Sequence, residues 1–387
     1  MTTLRVIVDE ILSPTPTGTA RYAEELTRAL IETAPAGCIV EGIVAASTEA
    51  EYASLRNKLP GMGDLFKSTL AHRELAAAWQ HGFTRLPAGM IHAPSLLAPL
   101  SRHDRLNNAG HQIAVTVHDV VAWTHPESLG ARRVAWHKAM LKRAHRYADA
   151  IVVPTHAVAG QLRDVMDFGD RVRVIGGAVS PRLVLPRDAD SRAAALGLPD
   201  RYVLTIGGLE SRRGVDNVIA ALARDDSPDL PLLVVGPDES DAESLAALVE
   251  TAGLPSDRVR ALGHLSDDDL SVVLDRATML VFPSLDEGFG LPVLEAFHFG
   301  TPVIHSDAPG LIEVSGDAGL VVERPEARDD DGAVDLSGYV EQIAAAIGRI
   351  DSDPKFAAEL GTLGEDRAGL FSWRTSAEKV WQLHADL

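Results

Sequence analysis

Two glutamates eight positions apart, Glu287 and Glu295, frame the stretch SLDEGFGLPVLE, with Gly288, Gly290 and Pro292 between them. The apolar run ATMLVFP just before it reads as a buried strand. Pro292 suits the first turn of a helix, where its missing N–H costs no hydrogen bond. Glu287 is therefore expected in a strand-to-helix loop and Glu295 early in the helix. Glycines leave the loop backbone bare to a ligand that approaches closely. The amides of Phe289, Gly290, Leu291 and Val293 gather at a helix N-terminus, where an anion such as phosphate is favoured.

A carboxylate on each side of a phosphate site is poor anion chemistry. It suits hydroxyls that flank a phosphate, and a nucleotide sugar, with a hexose at one end and a ribose at the other, has that outline. The same spacing fits an ordinary strand–loop–helix connection with two solvated carboxylates, and spacing alone leaves both readings open.

Other residues could join such a site. In GGLESRRGVDNVIAAL, Arg212 and Arg213 stand where a loop enters a helix, a good place to neutralise a diphosphate; two solvated arginines are the alternative. In SPTPTGTARYAEEL, Gly18 and Thr19 precede a helix whose opening amides could cap a phosphate. The stretch is not a G-x-G-x-x-G fingerprint, and a plain loop fits it equally well. His118 and Asp119 in VTVHDVV end a buried strand, as cleft-facing site residues, Asp119 an acceptor or sugar contact, or as a packed histidine and a capping aspartate. His92 in MIHAPS ends another, as an acceptor or donor contact or as a packed polar residue. The run Asp267-Asp268-Asp269 follows Ser266 and reads better as a capped, acid-rich helix start than as a metal site, so no metal is expected. Arg132, Lys138, Lys142, Arg143 and Arg146 make a basic stripe on ARRVAWHKAMLKRAHRYA: a solvated face, or a contact for an anionic membrane surface or lipid-phosphate acceptor.

The elements that must position these residues alternate. RVIVDEIL, CIVEGIVAA, MIHAP, QIAVTVHDVV, DAIVVPT and RVRVIGGAV read as strands in the first half, with amphipathic helices between them. After PRLVLPRDADSRAAALGLPD the pattern restarts with YVLTIGGL, LPLLVVGP, RVRALGHL, ATMLVFPS, TPVIHSD and GLVVE. Such alternation implies parallel sheets covered on both faces. The expected architecture is α/β: a Rossmann-like domain over 1–180, a linker over 181–200 and a second Rossmann-like domain over 201–370. A helix over about 371–387 is expected to pack back onto the first domain, and acidic RPEARDDDGAVDLSG reads as an exposed loop. Ligands of open parallel sheets bind beyond the carboxyl ends of the strands, so two such domains suggest a cleft between them.

Composition narrows the functions. At 387 residues, two domains are the natural division. Of the net charge of −19, residues 1–180 contribute +2 and the remainder −21, and the near-neutral first part lacks the broad basic footprint of a nucleic-acid binder. Cys38 is the only cysteine, which excludes an internal disulfide and suits a reducing compartment. With LRVIVDEIL opening directly as a strand and no apolar run of spanning length, a cytoplasmic location is expected.

In DEGFGLPVLEAFHFGTPVI the chain resembles the E-x7-E segment of retaining glycosyltransferases of family GT4, which have the GT-B fold. The resemblance extends to SGDAGLVV and FSWRTSAEKV downstream, and to YVLTIGGLESRRGVDNVIAAL, VTVHDVVAWTHPESL and TPTGTARYAEEL upstream, in the expected order. It implies that Glu287 holds hydroxyls of the donor sugar, Glu295 the ribose, and the amides near Gly290 and Leu291 the sugar and diphosphate. It places His118 near the transferred sugar, the backbone of His264 and Leu265 near the base, and Gly18 and Thr19 in a phosphate and acceptor loop. The chain departs from the pattern at two points. Arg213 stands where the family usually has lysine, and Gly208 where many relatives have arginine, so that duty passes to Arg212. The resemblance further implies front-face transfer without metal or cofactor, to a glycan, lipid-linked or small-molecule acceptor. TGTARY and GGLESRR look most like mannosyl-transferring branches, which favours GDP-mannose and leaves UDP-glucose or a deoxysugar donor open. The alternatives are another GT-B reaction, phosphorolysis or sugar-nucleotide epimerisation, and a non-catalytic nucleotide- or carbohydrate-binding protein.

Overall fold

A computed structural model describes residues 2–13, 17–83, 89–104, 107–108, 110–236, 239–325 and 335–387. They divide into two compact units, Met1–Gly177 with Ser372–Leu387, and Ala178–Phe371. Residues 326–334 of the acidic stretch, and Thr15 and Pro16 of TPTGTARYAEEL, lie outside the described residues.

The first unit is built on seven strands: β1 (Thr2–Ile7), β2 (Cys38–Val44), β3 (Leu65–Lys67), β4 (Met90–Ala93), β5 (Gln112–Thr116), β6 (Ala150–Val153) and β7 (Val172–Val174). Every pairing is parallel, in the order β3-β2-β1-β4-β5-β6-β7. Ile7, Ile43, Ile91, Val115 and Ile151 pack one face against Leu75, Trp79, Met140 and Leu162 of the covering helices. Helix Trp373–Asp386 belongs to this unit. Trp381 Nε1 donates to Leu30 O (3.2 Å) and Ser376 Oγ to Gly176 O (2.7 Å).

The second unit repeats the plan with β8 (Val203–Ile206), β9 (Leu232–Val235), β10 (Val259–Gly263), β11 (Met279–Phe282), β12 (Val303–Ser306) and β13 (Leu320–Val322). The sheet is parallel, in the order β10-β9-β8-β11-β12-β13. Strand β11 shows why its sequence is a continuous apolar run. Met279 and Val281 face Val218, Ile219 and Ile343, while Leu280 and Phe282 face Val273, Leu294 and Phe297. Side chains alternate between faces and a helix layer covers each face, so no position is left for a polar residue. Each such fully buried side chain stabilises the unit by roughly 1.5–3 kcal/mol.

Three elements differ from the sequence reading. RVIVDEIL stops being a strand at Ile7 and turns into a short 3-10 helix, Asp9–Leu12, because buried Asp9 accepts a hydrogen bond from Ala45 N (2.8 Å) beyond the end of β2. Strand β3 has no apolar alternation to announce it. Residues 181–200, expected as a linker, lie inside the second unit: Leu183 is wholly buried, and helix Ala189–Ala195 is tied down by Arg192.

In each sheet the strand order reverses at one place, between β1 and β4 and between β8 and β11. The crevice outside the carboxyl ends of the strands at such a point is where this architecture takes its ligands.

Candidate functional site

In the second unit the loops that follow β8 and β11 lie at the switch point and are bound to one another. Leu285 N donates to Arg212 O (2.7 Å), Ser284 Oγ donates to the same carbonyl (3.3 Å), and Arg212 Nη1 donates to Asp286 O (3.4 Å). Gly214 closes the first loop at φ 74°, and a Cβ there would stand 2.7 Å from Pro283 O, so only glycine allows this approach. Tyr339 OH donates to the same Pro283 carbonyl (2.9 Å). Arg324 braces the second loop from the end of β13, donating to Leu285 O (2.7 Å) and pairing with Asp307 (2.7 Å).

On this frame Arg213 forms an ion pair with Glu287. Gly207, just after β8, lies against the Arg213 stem: a Cβ there would be 3.6 Å from its Cδ. Gly208 lies under the Glu210 carboxylate. Gly290, at φ 82°, caps helix Leu291–His298, with Pro292 in its first turn. A Cβ on Gly290 would collide with Leu311. Leu291 is partly exposed at the helix start, Phe289 packs edge-on against Phe371, and Glu295 is 4% exposed within the helix. One amide expected to be available is not: Val293 N donates to Gly290 O (3.0 Å). His264 is exposed and Leu265 partly buried just beyond β10.

Sequence reasoning missed Gly310. It stands in the first turn of helix Pro309–Ser315, and a Cβ there would collide with Glu287 O and come within 2.9 Å of Gly288 O. The signal was present, since a glycine inside a helix costs about 1 kcal/mol relative to alanine and implies a close approach.

In the first unit, His118 follows β5, and its Nε2 lies 2.7 Å from Pro94 O. A carbonyl only accepts, so Nε2 carries the proton and Nδ1 is left as an acceptor. Burial pushes this imidazole below its usual range, which keeps it neutral, while Tyr22 packs edge-on against it with ring centroids 4.7 Å apart. Asp119 accepts from Val121 N (3.0 Å), which gives it the work of capping the next turn. Gly18 and Thr19 open helix Gly18–Glu32, whose cap Thr17 accepts from Ala20 N (3.2 Å).

His92, read either as an acceptor or donor contact or as a packed polar residue, is fully buried beside His384 of the C-terminal helix. The basic stripe is also interrupted: Arg143 bonds Leu100 O and lies over the Tyr147 ring, while Arg132, Lys142 and Arg146 stay exposed.

The Asp267-Asp268-Asp269 run is engaged in protein contacts. Ser266 Oγ accepts from Asp269 N (3.1 Å), Arg182 pairs with Asp267 (3.0 Å), and Arg192 pairs with Asp268 and Asp269 (2.9 Å each). Among the described residues no group of three or more His, Cys, Asp or Glu could hold a metal ion, and no helix is long and apolar enough to cross a membrane.

Known proteins share this plan. Residues 16–183 match the Glycosyltransferase Family 4 profile, and residues 186–365 match that of Glycosyl transferases group 1. O-antigen chain mannosyltransferase B of Escherichia coli is 30% identical over 247 residues, which is 60% of this chain and 61% of that protein. MMP alpha-(1->4)-mannosyltransferase of Mycolicibacterium hassiacum is 25% identical over 341 residues, covering 81% of this chain and 78% of that protein. HepE of Anabaena, solved in complex with UDP-glucose, superposes with a TM-score of 0.74 at 17% identity over the whole of both chains. The fold is accordingly GT-B, with parallel sheets of seven and six strands in its two α/β domains. The chain belongs to the glycosyltransferases, its first half to family 4 and its second half to group 1.

Proposed function

We propose that the protein is a retaining hexosyltransferase. It moves a sugar from a nucleoside-diphosphate donor, GDP-mannose before others, to a hydroxyl of a glycan, lipid-linked or small-molecule acceptor, without metal. The observation that carries this reading is the stitching of the Arg212–Arg213 loop to the Glu287 loop at the β8/β11 switch point, with the helix start at Gly290 beside them. Two guanidinium groups and a helix N-terminus favour a diphosphate, and a carboxylate next to them favours sugar hydroxyls. The preference for mannose rests on the mannosyltransferase names of both relatives; HepE with UDP-glucose makes that donor the second to try.

In this proposal the bond from the sugar's anomeric carbon to the diphosphate breaks, and the acceptor oxygen bonds to the same face of that carbon. The acceptor's proton passes to the leaving phosphate oxygen. Arg212, Arg213 and the amides near Gly290 and Leu291 stabilise the leaving charge. Glu287 holds sugar hydroxyls and Glu295 the ribose, with the backbone at His264 and Leu265 toward the base. The family resemblance gives His118 a role near the transferred sugar, and Gly18 and Thr19 one in a phosphate and acceptor loop. The reaction is assigned to the cytoplasm, with peripheral membrane contact through the exposed basic residues of 132–146.

The test is nucleoside diphosphate release from a panel of nucleotide sugars with EDTA present, followed by the anomeric configuration of the product. Release from GDP-mannose with retained configuration supports the proposal. Saturable binding without release from any donor indicates a binding protein instead, and inverted configuration removes the front-face route.

A further inference from the structure

A second cluster of reactive side chains, apart from the donor residues, lies at the other switch point, where β1 and β4 end. Asp9 is buried. One of its oxygens accepts from Ala45 N (2.8 Å), and the other bonds His72 Nδ1. A carboxylate only accepts, so the imidazole holds its proton at Nδ1, and its side chain is 57% exposed. Nε2 of His72 is then an acceptor when the ring is neutral and a donor when it is charged.

Beside it, Glu10 is half-buried and accepts from Ser95 Oγ (3.1 Å); among the described residues Ser95 is its one side-chain hydrogen-bond donor. Ser95 is itself fixed, since its hydroxyl accepts from Leu97 N (3.1 Å). The Glu10 carboxyl thus has acceptor capacity left over. It is also anchored next to His118, because Pro94 O holds that imidazole and the following residue, Ser95, holds Glu10.

We propose that Glu10 and His72 form the acceptor site and take hydroxyls of a neutral sugar or polyol, not a phosphorylated acceptor. This rests on the transferase reading and narrows it. A carboxyl with spare lone pairs beside an exposed imidazole matches vicinal hydroxyls, which both donate and accept. A phosphate placed there would meet the Glu10 carboxyl, with the buried Asp9 carboxylate behind His72, and among the described residues neither forms an ion pair with lysine or arginine.

The test uses matched probes: mannose with mannose 6-phosphate, and myo-inositol with myo-inositol 1-phosphate. Each is measured on the full chain by saturation-transfer NMR and as an acceptor with whichever donor turns over. The neutral member of each pair is expected to bind and be glycosylated. Glu10→Ala and His72→Ala should each raise the acceptor KM by about tenfold, the loss of about one hydrogen bond to a charged group. Donor KM should stay unchanged, and Glu10→Gln should recover part of the loss. Preference for the phosphorylated member, no signal from either neutral probe, or an unchanged acceptor KM in both alanine variants would overturn the proposal. Thermal midpoints show whether the variants are folded. If the wild-type chain releases no nucleoside diphosphate from any donor, the transferase reading fails, and the NMR arm still decides the site.

Discussion

Arg213 and Glu287 stand 74 residues apart in sequence and form an ion pair at the β8/β11 switch point, with side chains 27% and 18% exposed. The charge proposed to meet a diphosphate is engaged by the carboxylate proposed to meet the sugar. A diphosphate would compete with that carboxylate for the Arg213 donors. Glu287→Gln removes the competing charge and should tighten nucleoside diphosphate binding by several-fold, or at least leave it intact. Transfer should fall by about 100-fold, in keeping with the loss of about 3 kcal/mol of transition-state stabilisation. Titration calorimetry with the diphosphate and a turnover assay read the two separately. Equal losses in both would remove Glu287 from the sugar.

Gly310 touches no ligand in the proposal, yet its backbone is packed against the carbonyls of Glu287 and Gly288. Gly310→Ala should displace that loop and weaken donor binding, while thermal unfolding shifts by only a few degrees. Gly290→Ala should do both kinds of damage. It puts a side chain at φ 82°, which costs about 1–2 kcal/mol, and drives it into Leu311. Donor titration together with thermal melts distinguishes the two variants.

Acid should weaken the docking of the C-terminal helix. Burial pushes His384 down to about 4, with its Nδ1 3.0 Å from Gln112 Oε1, and burial with the neighbouring His384 holds His92 well below its usual range. Both are neutral in the folded chain, whereas an unfolded histidine takes up its proton near pH 6.5. Stability is then complete above about pH 6.5 and is lost as pH falls toward about 4. His384 alone accounts for about 3 kcal/mol across that window. Urea unfolding of the wild type and His384→Gln at pH 7 and pH 5 checks this. The variant should lose less stability between the two than the wild type, and equal losses would rule out His384 as the titrating group.

The aspartate run offers a contrasting expectation. Arg182, Arg192 and Ser266 already occupy its oxygens and its helix start. Asp268→Asn should leave transfer in the presence of EDTA unchanged under the metal-free proposal, and lower stability by no more than about 1 kcal/mol, as an exposed ion pair allows. Loss of activity restored by added magnesium or manganese would contradict this.

The doubly wound fold was legible because β9 and β11 are short apolar runs that both helix layers cover, and burial on both faces writes itself into sequence as uninterrupted hydrophobicity. The turn at Gly290 and Pro292 was legible for a local reason, since cap and first turn are adjacent residues. What escaped depends on distance along the chain. Nothing near Glu287 tells that Arg213 reaches it, and nothing near Gly310 names the carbonyl it must clear. His92 looked available at a strand end, but the helix that encloses it arrives nearly 300 residues later. The Val293 amide was lost to a bond inside its own helix turn, which the residue type does not reveal. Strand β3 is only three residues long at the sheet edge, with two of them exposed, so no alternation could mark it.

The most direct test of the donor site is titration of wild type and Arg213→Ala with the nucleoside diphosphate of the donor that turns over, in EDTA. The variant's dissociation constant should rise by at least about tenfold, the loss of a charge-assisted contact, while the melting midpoint without nucleotide moves by only a few degrees. An unchanged dissociation constant would show that the diphosphate is not held at the loops joined by Arg213 and Glu287.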